Sequence, residues 1–463
     1  MLQSPMNIQP SQTQWSSSST FILAAVGAAV GLGNMWRFPY VVGQNGGGAF
    51  IVIYLIAVFG IVTPILIGEI LVGRRGQMTP PRSVAKVAAE ANASSQWQGI
   101  GWMGILAAVL ILSFYSVIAG WLIAYIPKTF SGKLIDLSGP EIGREFGYFL
   151  ASPLKLMFWH SIFMIATIVV VIGGLRHGIE WAAKYLMPML FVLLIALVIF
   201  AAIVGDLGAA ANFLLKPDFS QITYHVVVTA FGQAFFSVGV GGCLLMNYGA
   251  YLPKHVSIPR SAFMIAGIDT LVAILAGFAI FPIIFAYGLD PTEGPGLIFV
   301  TLPVAFGSIP YGSLIGTAFF VLLLIAAFTS SIAILDPIAR LAEEKGSLGR
   351  TKVAIFGGFL AWLIGILTVL SFNIWSDIAP LGFIPGLQNS NFFELIDGFV
   401  TKILMPMGGI LLAIFVGWQL PKRLLLDELG AHSGTVFFIW KAFLRYIVPA
   451  AIIALFLSGF LGS

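Results

Sequence analysis

One aspartate, Asp269, lies inside an apolar run, flanked by Gly267-Ile268 and by Thr270-Leu271-Val272. A carboxylate at the centre of a membrane helix costs roughly 2.5–3.5 kcal/mol on insertion scales, so one found there is expected to bind or carry something. Two other apolar runs are broken by glycine. The first holds Ala29-Val30-Gly31-Leu32-Gly33-Asn34 in a segment starting near Phe21; the second holds Ser237-Val238-Gly239-Val240-Gly241-Gly242 in one starting near His225. A helix in hydrocarbon keeps its peptide groups paired internally, because lipid offers them no partner. Where it breaks, the freed N–H and C=O groups need an ion, a polar substrate or water. Unwound carbonyls are hard oxygen ligands for an alkali cation, and N–H groups opening the next half-helix favour an anion. Breaks at matching places in two halves of a chain predict a transporter site near the bilayer midplane.

The elements that must position these residues are membrane spans. Hydrophobic residues make up 59% of the chain, charged residues only 9%, and mean hydropathy is +0.99. A soluble domain carries about 25% charged residues. Eleven apolar stretches (21–43, 49–72, 100–126, 156–175, 181–204, 225–252, 261–288, 311–339, 353–371, 399–420 and 436–460) can be read from the sequence. Each is near the ~20 residues needed to cross a ~30 Å core. None alternates as a barrel strand would. The expected fold is an all-α polytopic membrane protein of eleven transmembrane helices.

Breaks in spans 1 and 6 divide the chain into a cytoplasmic N-terminal segment (1–20), a five-helix repeat (21–204), a second repeat (225–420) and an added span 11 (436–460). An odd number of spans per repeat inverts the second copy in the membrane. The polar, basic stretch 73–99 reads as cytoplasmic, and 289–310 as an external loop dipping back against the protein. The head of the chain lacks the basic n-region of a signal peptide, so no cleavage is expected.

Lysine and arginine set the orientation. With the N-terminus inside, sixteen fall on the cytoplasmic face: Arg74, Arg75, Arg82, Lys86, Arg176, Lys184, Lys254, Arg260, Arg340, Lys345, Arg350, Lys352, Lys422, Arg423, Lys441 and Arg445. Six fall outside: Lys128, Lys133, Arg144, Lys155, Lys216 and Lys402. That bias places the N-terminus in the cytoplasm and the C-terminus outside, in the cell (inner) membrane. The pI of about 9.1 therefore reports topology and does not call for a nucleic-acid partner. The lone Cys243 has no internal disulfide partner and reads as a small packing residue.

Gly31-Leu32-Gly33-Asn34-Met35-Trp36-Arg37-Phe38-Pro39-Tyr40, followed by Asn45-Gly46-Gly47-Gly48-Ala49-Phe50, resembles the first-helix signature of the neurotransmitter:sodium symporter family. Gly232-Gln233-Ala234-Phe235-Phe236-Ser237 resembles its sixth helix, and Thr329-Ser330-Ser331-Ile332-Ala333 its eighth. The resemblance covers essentially the whole chain, and eleven spans are similar to the shorter bacterial members. It implies discontinuous helices 1 and 6 and two sodium sites. The first would use the Ala29 carbonyl, Asn34, Ser237, Asp269 and the substrate carboxylate. The second would use the carbonyls of Gly27, Val30 and Ala326 with the hydroxyls of Thr329 and Ser330. Alone, a Thr-Ser pair bonds back to its own helix; opposite a broken helix it reads as ligand.

The family's first-site pattern often has Asn where this chain has Asp269, and its animal members use chloride nearby. Tyr54, Gln233 and Ser237 match the protein side of that chloride site. Asp269 can supply the negative charge itself, so no chloride requirement is expected. Once sodium and substrate leave, a desolvated carboxylate favours its protonated form, and Asp269 could carry a proton back.

For the substrate, the N–H groups of Leu32 and Gly33 suit a carboxylate, and Tyr115 matches the family tyrosine that donates to it. Gly31 replaces the aspartate of the amine transporters, so an α-amino acid, bringing its own counter-charge, is expected. Its ammonium would meet carbonyls around Ala29, Phe236 and Ser237. Ile111, Tyr115, Phe236, Gly239, Gly242, Ser330 and Ile334 would line the side-chain pocket. The two glycines leave room for a large apolar or aromatic group, unless the helix moves inward to fill it. Matching gate residues are Arg37 with Asp397, or Glu394, outside, and Trp15, Tyr251 and Glu344 inside. Gln12 stands where an arginine is expected, which puts a salt bridge to Glu344 in doubt. Glu69 reads as structural, bonding unwound backbone.

Other classes fit less well. A channel should show polar or charged rings through several spans, and this chain does not. A non-transporting amino-acid receptor on the same fold would be expected to carry a long cytoplasmic extension. An enzyme is not expected: the five histidines are scattered, and there is no Gly-x-Ser-x-Gly or P-loop.

Overall fold

A chain this apolar must pair its backbone internally, and among the described residues it does so with helices and turns, without strands. The computed structural model describes residues 14–135, 137–289, 296–345, 349–384, 387–430 and 434–461. Two half-helices, Ser18–Ala29 (α1) and Gly33–Gln44 (α2), form one crossing bent by 54° at the break between them. There follow Gly48–Gly76 (α3), Pro80–Glu90 (α4), Ser95–Phe130 (α5), Gly139–Leu150 (α6), Pro153–Ile172 (α7), Leu175–Val204 (α8) and Leu207–Leu215 (α9). The second half holds Tyr224–Val238 (α10), Leu244–Gly249 (α11), Ile258–Ala286 (α12), Leu297–Gly307 (α13), Gly312–Lys345 (α14) and Arg350–Ser371 (α15). Phe392–Gln419 (α16), Lys422–Leu429 (α17) and Thr435–Ala454 (α18) complete it.

Among the described residues nine helices (α3, α5, α7, α8, α12, α14, α15, α16 and α18) are long and apolar enough to cross a membrane, and the bent α1–α2 pair makes ten. The remaining expected crossing, 225–252, differs because it is interrupted. Its outer piece α10 has 15 residues and stops at Gly239, whose φ of +73° ends the helix in the left-handed conformation; α11 resumes it. Fifteen residues rise about 22 Å, short of a ~30 Å core, so neither piece spans alone.

Side-chain oxygens fix where several helices begin. Ser17 accepts from the Thr20 N–H at 3.1 Å, Thr223 from Val226 at 3.3 Å and Asp206 from Ala209 at 2.8 Å. Each satisfies one amide that the first helical turn leaves open. The long helices α5 and α14 pack against each other through the centre, and α1 lies among α8, α12 and α14. The two breaks are thereby held against continuous helices. In 289–310, the described part forms α13, whose Leu297, Ile298, Phe299 and Leu302 are buried against the protein; residues 290–295 lie outside the described residues.

The second break is clamped from two sides. Gly241 has φ +85°, and its N–H donates to Glu69 Oε1 at 2.7 Å. Glu69 is fully buried in α3, so this carboxylate serves unwound backbone. A methyl on Gly241 would collide with the Met405 carbonyl of α16. Gly241→Ala should therefore destabilise the protein by about 1–3 kcal/mol, through overpacking and a strained φ. A lower melting temperature in detergent is the expected reading; an unchanged one would show that α16 does not clamp the break.

Candidate ion and substrate site

The first break exposes peptide groups that side chains from other helices meet. The Leu32 N–H donates to Tyr115 Oη at 3.1 Å, and the Gly31 N–H donates to Asn34 Oδ1 at 3.1 Å. Gln233 Nε2 of α10 donates to the Gly33 carbonyl at 2.9 Å. A methyl built on Gly31 would lie 2.7 Å from Tyr115 Oη and 2.8 Å from Ser330 Oγ, so glycine allows α5 and α14 to approach the break.

Asp269, fully buried in α12, ties three helices together. Asn34 Nδ2 donates to its Oδ1 at 2.8 Å and to its backbone carbonyl at 3.1 Å; the Ser237 hydroxyl donates to Oδ2 at 2.7 Å. Asn34 Nδ2 also reaches Ser237 Oγ at 2.9 Å, and Tyr54 Oη donates to the same oxygen at 3.3 Å. Hydrogen bonds to a charged acceptor are roughly twice as strong as neutral ones, so this is a firm clamp. Asn34, Ser237, Asp269 and Tyr54 thus meet in one cluster. Gln233 serves the Gly33 carbonyl, and its Oε1 is buried with no hydrogen-bond partner among the described residues.

A second group of oxygens converges one turn inward. Ser330 Oγ lies 3.2 Å from the Gly27 carbonyl and 3.1 Å from those of Val30 and Ala326. Thr329 Oγ1 lies 3.1 Å from the carbonyls of Ala326 and Ile325. Both hydroxyls do bond back to α14, but Ser330 at the same time faces two carbonyls of the broken α1. One hydroxyl proton cannot satisfy three carbonyls well. Such an oxygen-rich cluster without carboxylates is chemically suited to a small hard cation. A cavity of about 10 Å³, lined by Gly27, Thr329 and Tyr248 among others, adjoins it.

Of the other expected lining residues, Ala29, Ile111, Gly242 and Ile334 are buried and Phe236 and Gly239 are half-buried. A methyl on Gly239 would meet only Leu244, at 3.7 Å, and one on Gly242 would meet the Gly239 carbonyl at 3.3 Å and Leu244 at 3.9 Å.

On the inner side, Trp15 Nε1 donates to the Tyr248 carbonyl at 2.9 Å, and its ring packs edge-on against Tyr248 and Tyr251. The Arg340 guanidinium sits 4.1 Å over the Tyr251 ring. Gln12 and the Glu344 side chain lie outside the described residues. Sequence reasoning missed the polar network around Asp336. Asp336, fully buried in α14, pairs with Arg350 and accepts from Asn247 Nδ2 at 2.6 Å. Glu180 accepts from the Ser16 N–H at 2.8 Å. Asp336 carries the same signal as Asp269, a carboxylate inside an apolar run.

On the outer side, Arg37 stacks 4.6 Å over the Phe236 ring and makes no ion pair among the described residues, although it and Asp397 feel each other's charge. Glu394 is engaged elsewhere: its carboxylate accepts from the Asn391 N–H at 3.1 Å and caps its own helix.

Two broken crossings wrapped by continuous helices, with polar clusters at both breaks, define a secondary-transporter fold. Residues 12–137 and 153–462 match the sodium:neurotransmitter symporter family model, and the chain belongs to that family. It is 39% identical to the uncharacterized sodium-dependent transporter YhdH of Bacillus subtilis, over 96% of this chain and 97% of the relative. It is 34% identical to an uncharacterized sodium-dependent transporter of Haemophilus influenzae, with 96% and 97% covered. Its structure is similar to the crystal structure of MhsT in complex with L-phenylalanine: TM-score 0.88, 41% identity, covering 96% of this chain and 99% of the other. The protein is accordingly a multi-pass membrane transporter of a sodium-dependent family.

The crowding at Gly31 gives a stability test. Gly31→Ala should cost about 1–3 kcal/mol, because Tyr115 and Ser330 must shift. Gly267→Ala, where nothing lies within 4 Å, should be neutral or stabilise by roughly 0.5–1 kcal/mol through helix propensity. Equal melting temperatures for the two variants would contradict the close approach at the break.

Proposed function

We propose that the protein is a sodium-coupled symporter of α-amino acids, with large apolar or aromatic side chains preferred, working by alternating access between inverted repeats 21–204 and 225–420. The observation that carries the reading is the junction of Asp269 with Asn34 and Ser237, which joins both broken helices to α12. We count span 6, α10 with α11, as the eleventh crossing, and place the N-terminus in the cytoplasm on the lysine and arginine bias.

In this reading sodium is a co-substrate. The second ion lies among Gly27, Val30, Ala326, Thr329 and Ser330. The first lies among Ala29, Asn34, Ser237 and Asp269, beside the substrate carboxylate. The Asn34 amide now turns its nitrogen to Asp269 and its oxygen to Gly31. A cation beside Asp269 requires the amide to turn its oxygen inward, which frees the Gly31 N–H. Sodium binding and release of the Gly31 N–H at the break are thus one movement. The substrate carboxylate then meets Leu32, Gly33 and Tyr115, and its side chain lies toward Gly239 and Gly242. The glycine-lined space supports a bulky side chain, and MhsT, a similar protein, was crystallised with L-phenylalanine. Each sodium entering down 100 mV releases roughly 2.3 kcal/mol; with one proton carried back, two sodium ions move one net charge, and the potential alone supports about fiftyfold accumulation.

Asp269 occupies the place beside Tyr54 and Ser237 with its own negative charge, so chloride is dispensable. On the return step the carboxylate, without a cation, takes a proton and carries it outward.

Proteoliposomes test these points together. Sodium-dependent uptake, competed with the twenty amino acids, should be blocked best by aromatic and large aliphatic ones. Replacing chloride by gluconate should leave wild-type uptake unchanged, while Asp269→Asn should lose roughly tenfold or more in gluconate and recover partly in chloride. A lumenal pH dye should report alkalinisation during wild-type uptake and none with Asp269→Asn. A wild-type requirement for chloride would overturn the role given to Asp269. Ser330→Ala should raise the sodium concentration for half-maximal uptake by roughly tenfold through the lost cation ligand, with little change in fold.

A further inference from the structure

Outside the central site, a cavity of about 380 Å³ opens between the outer ends of α5 and α7 and the connecting helix α6. Lys128, Lys133 and Lys155 line it, with Glu145, Tyr148 and Trp159. With the N-terminus taken as cytoplasmic, the outer face has six lysines and arginines, and three of them share this hollow. Outer loops otherwise tend to lack such residues.

The charge there is not balanced. Glu145 lies 3.7 Å from Lys128, whose ammonium also sits 5.3 Å from the Phe149 ring centroid and 5.4 Å from that of Tyr125. Among the described residues Lys133 and Lys155 form no ion pair, and both act electrostatically on Lys128. Three ammonium groups facing one carboxylate repel one another unless an anion joins them. Ser131 and Tyr148 add hydroxyl donors to the lining. The walls are also fixed: Ser138 donates from its N–H at 2.8 Å and its hydroxyl at 2.6 Å to Glu141 at the start of α6. Those bonds hold the Glu141 carboxyl below the usual carboxylate range.

We propose that this hollow binds a phosphate-bearing anion. A lipid headgroup is one source. On α7, Leu154 and Phe158 adjoin Lys155 and Trp159 in sequence and are 79% and 58% exposed, so an acyl chain has an apolar surface beside the cations. Inorganic phosphate is the other source, through the same donors.

The test uses the purified full-length protein in neutral detergent, with native mass spectrometry counting what is retained. Phosphatidylglycerol should bind at one site more tightly than phosphatidylcholine. Lys133→Gln with Lys155→Gln, both at exposed positions, should weaken that site roughly thirtyfold, as expected for two interfacial lysines. Lys216→Gln with Lys402→Gln, which removes the same outer charge elsewhere, should leave it intact, and melting temperatures should match. Displacement of the lipid by inorganic phosphate, or binding of phosphate alone that the Lys133/Lys155 pair of substitutions abolishes, would assign the anion to the soluble source. The proposal is overturned if neither phosphatidylglycerol nor inorganic phosphate distinguishes wild type from that variant, or if phosphatidylcholine binds equally well.

Discussion

Peptide groups released inside hydrocarbon must find polar partners, and the centre of this protein is organised by that constraint. A lone N–H or C=O in lipid costs several kcal/mol, so a break survives only where side chains or ligands are brought to it. Here Tyr115, Asn34 and Gln233 meet the first break, and Glu69 meets the second. These residues come from α5, α2, α10 and α3, so the breaks also decide which helices must touch. The polar centre is the reason for the packing around it as much as a product of it.

What the sequence disclosed follows the same economy of polar groups. Asp269 and the glycine breaks were legible because each is expensive in an apolar run and has no local remedy; the Thr329-Ser330 pair, which bonds back to its own helix, stood out only opposite a broken one. Asp336 obeys the same logic, yet its partners are Asn247 and Arg350, from separate helices, and no spacing rule brings those together. Glu394, the second outer gate candidate, has a local use that spacing does show: three residues after Asn391, it completes a capping box. Span 6 read as one crossing because hydropathy sums over a break that the backbone does not. Glu344 matched an inner gate position in sequence while Gln12 stood where an arginine is expected, and Gln12 and the Glu344 side chain lie outside the described residues.

The two ends expected to gate the site hold different chemistry. At the end expected to face the cytoplasm, Arg74 with Glu428 is a buried pair, buried Asp336 meets half-buried Arg350, and Trp15 lies across Tyr248. Separating one partner of a buried pair leaves an uncompensated charge and costs about 3–5 kcal/mol. Outside, Arg37 rests on an aromatic ring and forms no ion pair among the described residues. Cation–π contacts of this kind are worth about 0.5–2 kcal/mol. Two of the aromatic N–H groups packed near α13, those of Trp36 and Trp121, have no hydrogen-bond partner among the described residues. The contacts around Arg37 are therefore the weaker ones, and water entering there would gain partners that the dry packing withholds.

That asymmetry bears on how the centre is coupled to the gates. The second break joins α10, which carries Ser237, to α11, which carries Asn247 and leads to Tyr248. Ser237 holds Asp269, and Asn247 holds Asp336, so one short unwound segment stands between the central carboxylate and the inner one. Rigid helices on either side cannot absorb a displacement of Ser237, whereas Gly239, Gly241 and Cys243, all at positive φ, can redistribute it through their dihedrals. Glu69 fixes one point of that segment, at Gly241. In the proposed alternating-access cycle, Asp269 is thus linked through Ser237 to α10, and through the unwound segment held at Gly241 to the helix bearing Asn247.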